Sequence, residues 1–320
     1  MSQDNPTVSV TIVLYNSGQT ILDCLELLKE GIIENYLDVI LIDNCSPDES
    51  YKIVKEFSHT FKVNIIRAEK NLGFAGGVNL SFKYVKGKYW LLLNPDALLS
   101  TTDIKKLVEI MEGNKELGVI SPQIVNPQLE DSHLSLCFPS VSKAFMEVTR
   151  LSHLLPVEKR ARLYKIPSSM EDELCRVDWV PGTALMVRKE IADKVGILSE
   201  EFFMYAEDVE FCWRIRNSGW DIAVYKGAKV SHIGGVSSKA EKNTETIRKS
   251  IPNYFKVDSH IIGTNKAFIV NILRALSYGL ESIHPLRSKQ HRSSSLKIFK
   301  ENIRFIYLKI LENFSMNTSQ

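Results

Sequence analysis

Eight residues, Leu91-Leu92-Leu93-Asn94-Pro95-Asp96-Ala97-Leu98, restrict what this chain can fold into more than any other stretch. Three leucines after Tyr89-Trp90 have the unbroken apolar character of a strand buried on both faces, as in a parallel sheet covered by helices. Asn94-Pro95 ends that strand, because proline has no N–H for the ladder and restricts the residue before it. Asp96 is therefore expected at the carboxyl end of a core strand, the edge of an open α/β sheet where ligands bind. A carboxylate there loses hydration unless a cation or donor meets it, which points to a metal or phosphate site. A plain cap on the helix after Ser100 is the competing reading.

The chain around this run alternates strand and helix. Strands are expected at 8–14, 39–42 and 63–67, and helices at 20–29 and 51–57, the latter opened by Ser46-Pro47 with Asp48 and Glu49 near its positive end. A glycine-rich loop over 71–77 leads into a helix ending near 85, and another helix covers 103–111. Such alternation implies a mostly parallel sheet with right-handed crossovers, flanked by helices. Beyond residue 118 the pattern loosens. A strand is expected at 119–125, helical periodicity around 144–163, a strand with a turn in it at 177–187, a helix from 189, another ending near 217, and two short strands at 222–225 and 229–232. Gly234-Gly235 closes the ordered domain, which places a boundary near Ser237 and divides the chain into 1–236 and 237–320.

Residues 237–320 hold 14 Lys/Arg against 6 Asp/Glu, whereas residues 1–236 hold 26 against 32. The tail contains two amphipathic candidates, 267–280 and 296–314. In the second, Leu296, Phe299, Ile303, Ile306, Ile310 and Phe314 share a face, with Lys297, Lys300, Arg304 and Lys309 between them. Two readings stand for this region: packing on the catalytic core, or peripheral attachment of 256–320 to an anionic membrane. A nucleic-acid partner is not expected, since the main part is acidic and basic residues do not interleave with aromatics near the glycine loop. The five cysteines lie far apart with no CxxC pair, against a zinc site or disulfide framework and in keeping with a reducing cytoplasm. The polar start carries no signal-peptide pattern, and no uncharged apolar run approaches the ~18–20 residues that cross a bilayer.

Acidic residues end strands or begin helices at Asp43, Asp96 and Glu207-Asp208. A helix N-terminus is expected to keep Asp208 ionised with a low pKa, so that it accepts a proton from an attacking hydroxyl. His232, beside two glycines, could join Asp96 on a divalent ion. Each alone also fits a structural role: Asp43 as a turn cap, Asp208 as a helix cap, His232 as a loop histidine. The run Asn71-Leu72-Gly73-Phe74-Ala75-Gly76-Gly77 is neither G-x-G-x-x-G nor a P-loop, and it follows the third strand instead of the first. Its backbone can come close to a ligand, with Asn71 and Asn79 as amide donors.

In order and spacing, Tyr15-Asn16, Asp43-Asn44-Cys45-Ser46, Asn71-x-Gly73-Phe74-Ala75-x-Gly77-x-Asn79, Asn94-Pro95-Asp96 and Glu207-Asp208-x-Glu210-x-x-x-Arg214 resemble the family 2 inverting glycosyltransferases of the GT-A fold. Within these the series is most similar to the bacterial rhamnosyltransferase-like branch, and the likeness covers roughly 8–235. The resemblance implies a Rossmann-like GT-A sheet with the C-terminal helical region appended. It implies that Tyr15 and Asp43 hold the pyrimidine base, that Asn71, Gly73 and Asn79 line the nucleoside pocket, and that Asn94 and Asp96 meet the diphosphate. Asp96 and His232 would bind Mg²⁺ or Mn²⁺, and Asp208 would be the catalytic base. The family's usual Asp-x-Asp is here Asn94-Pro95-Asp96, which lacks one carboxylate.

The expected activity is transfer of a sugar from a nucleotide-diphosphate donor to a hydroxyl of a glycan or lipid-linked acceptor in cell-surface polysaccharide synthesis. Resemblance favours dTDP-L-rhamnose, with UDP-hexoses or UDP-galactofuranose as alternatives, and residues 126–176 as the shapers of the acceptor site. A nucleotidyltransferase would carry a glycine-rich, Arg/Lys-bearing loop after its first strand, which Tyr15-Asn16-Ser17-Gly18-Gln19 is not. An inactive glycan-binding module would not need Asp43, Asp96 and Asp208 together.

Overall fold

The computed structural model describes residues 5–125, 135–232 and 244–317, with side chains as far as 312. Two compact units emerge, one of Met1–Cys137 with Lys165–Gly234 and one of Phe138–Tyr164 with Gly235–Gln320. The expected boundary near Ser237 and the Gly234-Gly235 pair lie outside the described residues.

The first unit is built on a nine-stranded sheet. Strands β1 (Val8–Leu14), β2 (Leu37–Asp43), β3 (Val63–Arg67) and β4 (Tyr89–Leu93) run parallel in the order β3-β2-β1-β4. Their crossovers carry helices α1 (Ile21–Ile33), α2 (Ser50–Phe57) and α3 (Gly73–Ser81). β1 and β4 are buried along their whole length and β2 at every residue but Asp38, in keeping with their mostly apolar sequences. Order reverses between β1 and β4, and this switch point places Tyr15 and Asn94 at the mouth of one crevice.

The second half of the sheet departs from a parallel arrangement. β8 (Ala184–Arg188) pairs antiparallel with β4, and β6 (Leu117–Val125) antiparallel with β8. The two short strands expected at 222–225 and 229–232 are one strand, β9 (Asp221–His232). It runs parallel to β6 with a register jump from Tyr225↔Pro122 to Lys229↔Gln123, so a bulge at 226–228 separates its two apolar halves. β9 also pairs antiparallel with β7 (Leu174–Val177) and with the two-residue β5 (Ala97–Leu98). The remaining helices of this unit are α4 (Thr101–Gly113), α7 (Lys189–Val195) and α8 (Glu207–Asn217).

Two local expectations change. Pro47 precedes α2 instead of opening it; Asp48 Oδ1 accepts the Ser50 N–H at 3.2 Å and Oδ2 accepts the Gly18 N–H at 2.9 Å, so an Asx turn leads into the helix. The glycine run is the first turn of α3, not an open loop. Gly73 has φ +75°, and a Cβ there would stand 2.1 Å from the Phe203 carbonyl oxygen, so no other residue fits.

The second unit holds α5 (Val141–Val148), α6 (Val157–Tyr164), α9 (Thr244–Ile262), α10 (Thr264–Ile283) and α11 (Lys289–Asn317). The helical expectations at 144–163, 267–280 and 296–314 fall on these, with Phe314 beyond the described side chains.

Candidate active site

Asp96 leaves β4 through Asn94-Pro95. It is 8 % exposed, and its Oδ1 lies 3.1 Å from His232 Nε2. The two meet because β5 pairs Ala97 with His232, the last residue of β9, which brings a carboxylate and an imidazole together across 136 positions of sequence. Both side chains are mostly covered, 10 % and 22 % exposed. A carboxylate and an imidazole meeting at one edge are groups that could hold a divalent ion.

Asp208 belongs to the same edge. The Asn94 N–H donates to the Thr183 carbonyl at 2.9 Å, and the adjacent Gly182 N–H donates to Asp208 Oδ2 at 3.0 Å. Leu93 pairs with Ala184 across the sheet, so 94–96 and 182–183 depart from one point of the edge, with Asp208 hydrogen-bonded to the second. Only Gly182-Thr183 separates the segment bearing Asp96 from the carboxylate of Asp208.

The expected low pKa of Asp208 is overturned. The Gly182 and Val209 N–H groups do favour its charged form, but burial outweighs them and raises its pKa. Glu207 is 5 % exposed, and its Oε2 has no hydrogen-bond partner among the described residues. Burial and the neighbouring Asp208 charge push its carboxyl up to about 8, so it holds its proton at neutral pH. A neutral acid thus flanks a carboxylate whose affinity for a proton is increased.

The backbone leading into this pair is strained. Tyr205 and Ala206, neither a glycine, have φ of +73° and +76°, a region that costs L-residues about 1–2 kcal/mol each. Behind it, Glu210 and Arg214 pair through two bonds of 2.7 and 3.0 Å, and Arg214 donates to the Val195 and Ile197 carbonyls at 2.6 Å each. In the motif Glu207-Asp208-x-Glu210-x-x-x-Arg214 the last two members therefore brace the helix against the loop after α7.

The base-side residues are arranged less simply than expected. Tyr15, half exposed at the end of β1, is free to stack. Asp43 is fully buried: Oδ2 accepts from Arg67 Nε at 3.0 Å and Oδ1 from the Ser46 N–H at 3.2 Å. Arg67 also lies over the Tyr51 ring at 4.5 Å. Asn71 Oδ1 accepts the Gly73 N–H at 2.9 Å and Asn44 Nδ2 at 3.2 Å, so it shapes the turn internally. Asn79 donates to the Leu198 carbonyl at 2.9 Å and to Glu200 Oε1 at 3.0 Å, which ties α3 to the segment before Phe202. Gly73 serves close packing on Phe203, whose carbonyl accepts the Phe74 N–H at 2.9 Å.

Asn44 was not foreseen as a site residue. It donates to the Gly73 carbonyl at 2.9 Å and accepts the Leu72 N–H at 2.9 Å, clamping the turn before α3. Its signal was present in sequence, a polar residue directly after a fully apolar parallel strand. Arg67 could likewise have been found from the β2–β3 register, which pairs it with Asp43.

A sheet with a parallel half, a switch point and antiparallel strands beyond it has the architecture of a GT-A type fold. Solved structures agree on the fold: GalNAc-T7 with UDP, GalNAc and Mn²⁺ superposes with TM-score 0.60 at 16 % identity over 97 % of this chain and 58 % of that one. The mannosyltransferase PcManGT of Pyrobaculum calidifontis, with GDP-Man and Mn²⁺, gives 0.54 at 14 % identity over 97 % and 88 %.

Residues 9–151 match the model of glycosyl transferase family 2. Among curated relatives, the low-salt glycan biosynthesis hexosyltransferase Agl10 of Haloferax volcanii is 26 % identical over 79 % of this chain and 76 % of its own. The N-acetylglucosaminyl-diphospho-decaprenol L-rhamnosyltransferase of Mycobacterium tuberculosis is 26 % identical over 71 % and 75 %.

Proposed function

We propose that this chain is an inverting, metal-dependent hexosyltransferase that moves a sugar from a nucleotide-diphosphate donor to a hydroxyl of a glycan or lipid-linked acceptor. L-Rhamnose from dTDP-rhamnose is the favoured donor, supported by the rhamnosyltransferase relative; UDP-hexoses and UDP-galactofuranose are the alternatives, the hexosyltransferase relative being equally similar at 26 % identity. The observation that carries the reading is the placement of Asp208 and the Asp96–His232 pair on one sheet edge, joined through Gly182-Thr183 and Asn94.

The chain's own residues supply most of the mechanism. Tyr15 stacks on the base at the end of β1, while Arg67 and Asp43 close the far side of that pocket. Asp96 and His232 would hold Mg²⁺ or Mn²⁺, which when bound neutralises charge gathering on the leaving diphosphate. Asp208, its carboxylate fixed by the Gly182 N–H, takes the proton of the acceptor hydroxyl. The oxygen so freed attacks the anomeric carbon from the face opposite the diphosphate, and the glycosidic C–O bond forms as the sugar–phosphate bond breaks. Burial favours this role, because a base with a raised proton affinity is better matched to deprotonating an alcohol near neutral pH.

On the acceptor side, Pro122, Ile124, Leu136, Pro167, Pro181 and Val224 line an open apolar hollow, with Pro181 next to the glycine that holds Asp208. Leu136 and Pro167 come from the segment expected to shape the acceptor site. Mass spectrometry of products from a panel of dTDP- and UDP-sugars with a lipid-linked acceptor tests the assignment. A glycosylated acceptor formed from one donor, lost in Asp208→Asn, supports it. Hydrolysis of every donor without transfer, or turnover intact in that variant, refutes it.

A further inference from the structure

The C-terminal helices carry an exposed apolar face. On α10, Ala267, Val270, Asn271 and Ala275 are buried, while Ile269, Ile272, Leu276, Leu280 and Ile283, at three- and four-residue steps, stand exposed on the opposite side. Ile283 is 72 % exposed. Leu296, Ile303, Tyr307 and Ile310 form a second exposed stripe on α11.

The two stripes lie on one side of the helix pair. Asn271 donates to Asn302 at 3.3 Å, and a Cβ on Gly279 would stand 3.2 Å from the Phe299 ring, which fixes the α10–α11 seam. Helix α9 covers one flank of that seam through the Arg274–Asp258 and Arg248–Glu301 ion pairs and the Phe255–Phe305 ring contact. At 100° per residue, both apolar stripes fall on the other flank. Continuing around α11, the exposed Lys297, Lys300 and Arg304 rim the face. The acidic residues of these two helices are each ion-paired: Glu301 with Arg248 of α9, Glu281 with Arg287 and His291, and Glu312 with Lys309.

We propose that this face docks on an anionic bilayer surface. Helices α10 and α11 lie in the interface plane, the apolar stripes sit among acyl chains, and Lys297, Lys300 and Arg304 reach lipid phosphates. The net positive charge of residues 237–320, 14 Lys/Arg against 6 Asp/Glu, is complementary to such a surface. A second copy fits less well, because a two-fold contact would set the same basic rim against itself. The inference rests on the proposed function for its purpose, access to a lipid-linked acceptor, and on the unit's own surface for its geometry.

Flotation of the full chain with vesicles of phosphatidylcholine alone, or mixed with phosphatidylglycerol, tests it. The wild type is expected to float with the mixed vesicles only and to be released by salt. Lys297→Glu/Lys300→Glu/Arg304→Glu should lose about a hundredfold in partitioning, at roughly one kcal/mol for each basic residue near the surface. Leu276→Glu/Ile303→Glu should lose it as well with an unchanged circular dichroism spectrum, because both side chains are exposed. Absent flotation, equal binding to neutral vesicles, indifference to the charge reversals, or a dimer in light scattering that Leu276→Glu/Ile303→Glu dissolves would each overturn the proposal. Donor turnover with a water-soluble acceptor keeps the two readings apart. Variants that lose flotation while turning over support docking, and a wild type that floats but transfers no sugar leaves docking standing while refuting the function.

Discussion

Replacing Glu207 by glutamine probes the electrostatics of the proposed base directly. The Glu207 carboxyl is held at about 8 against an ordinary 4.5. Below pH 4.5 folded and unfolded chains both carry its proton, and the group has no effect on stability. As pH rises from there, the unfolded chain releases the proton while the folded chain keeps it, so the fold is penalised increasingly until about pH 8. One unit of pKa corresponds to about 1.4 kcal/mol, so between pH 5 and pH 8 the penalty grows by about 4 kcal/mol at most. Because the charge of Asp208 contributes to the shift and the two groups titrate together, half of that, about 2 kcal/mol, is the working expectation.

Glutamine keeps the shape and cannot ionise. An amide N–H without a partner, where Oε2 has none now, costs about 1–3 kcal/mol at every pH, which moves the baseline and leaves the slope alone. Urea unfolding of wild type and Glu207→Gln at about pH 5 and about pH 8 should therefore show the variant gaining about 2 kcal/mol relative to wild type over that interval. A stability difference equal at both pH values would mean that Glu207 ionises normally in the fold, and the account of a neutral acid beside the base would fail.

Asp208→Asn should reduce transfer by at least about a thousandfold while donor affinity, measured by calorimetric titration, changes less than about threefold. His232→Ala should raise the Mn²⁺ concentration needed for half-maximal turnover by about tenfold or more, with Asp96→Ala more severe. Gly73→Ala should destabilise the fold by about 3 kcal/mol or more in denaturant titration, since a Cβ would stand 2.1 Å from the Phe203 carbonyl oxygen at a φ of +75°. Arg214→Ala should cost about 3–5 kcal/mol, because it strands the buried Glu210 carboxylate and frees two carbonyls of the preceding loop.

The first half of the fold was legible because each signal there was local. Unbroken aliphatic strands, helical periods and polar strand ends identify β1 to β4 and their crossovers one at a time. Strand direction in the second half was not legible in the same way. β4, β6 and β8 are each apolar enough for a buried strand of either sense, and the choice depends on which edge of the sheet remains open when β8 returns. The bulge in β9 was hidden for a related reason. Lys226 and Gly227 read as a break between two strands, yet the Lys226 N–H finds the Glu173 carbonyl at 2.9 Å, so the chain loses its register without leaving the sheet.

The site divides along the same line. Which residues end strands or open helices could be read from the sequence, and Asp96, His232 and Asp208 were placed that way, although nothing local to His232 names Asp96 as its neighbour. That pairing requires β5, a strand of only two residues that no periodicity can reveal. The charge state of Asp208 was misjudged because a helix N-terminus is visible in sequence whereas desolvation is not. Burial depends on what the fold brings over the helix start, such as Gly182, whose N–H meets Asp208 from 26 positions away. Asn71, Gly73 and Asn79 mark the opposite limit. Their residue types were read as ligand contacts, yet each satisfies a demand of the fold: a turn, a close approach, a tether between α3 and residues 198–200. Whether a motif residue's polar atoms already have partners in the folded chain is the observation to weigh: Asn71 Oδ1 and the Asn79 amide nitrogen do, whereas Asn79 Oδ1 and, beside the proposed base, Glu207 Oε2 have none among the described residues.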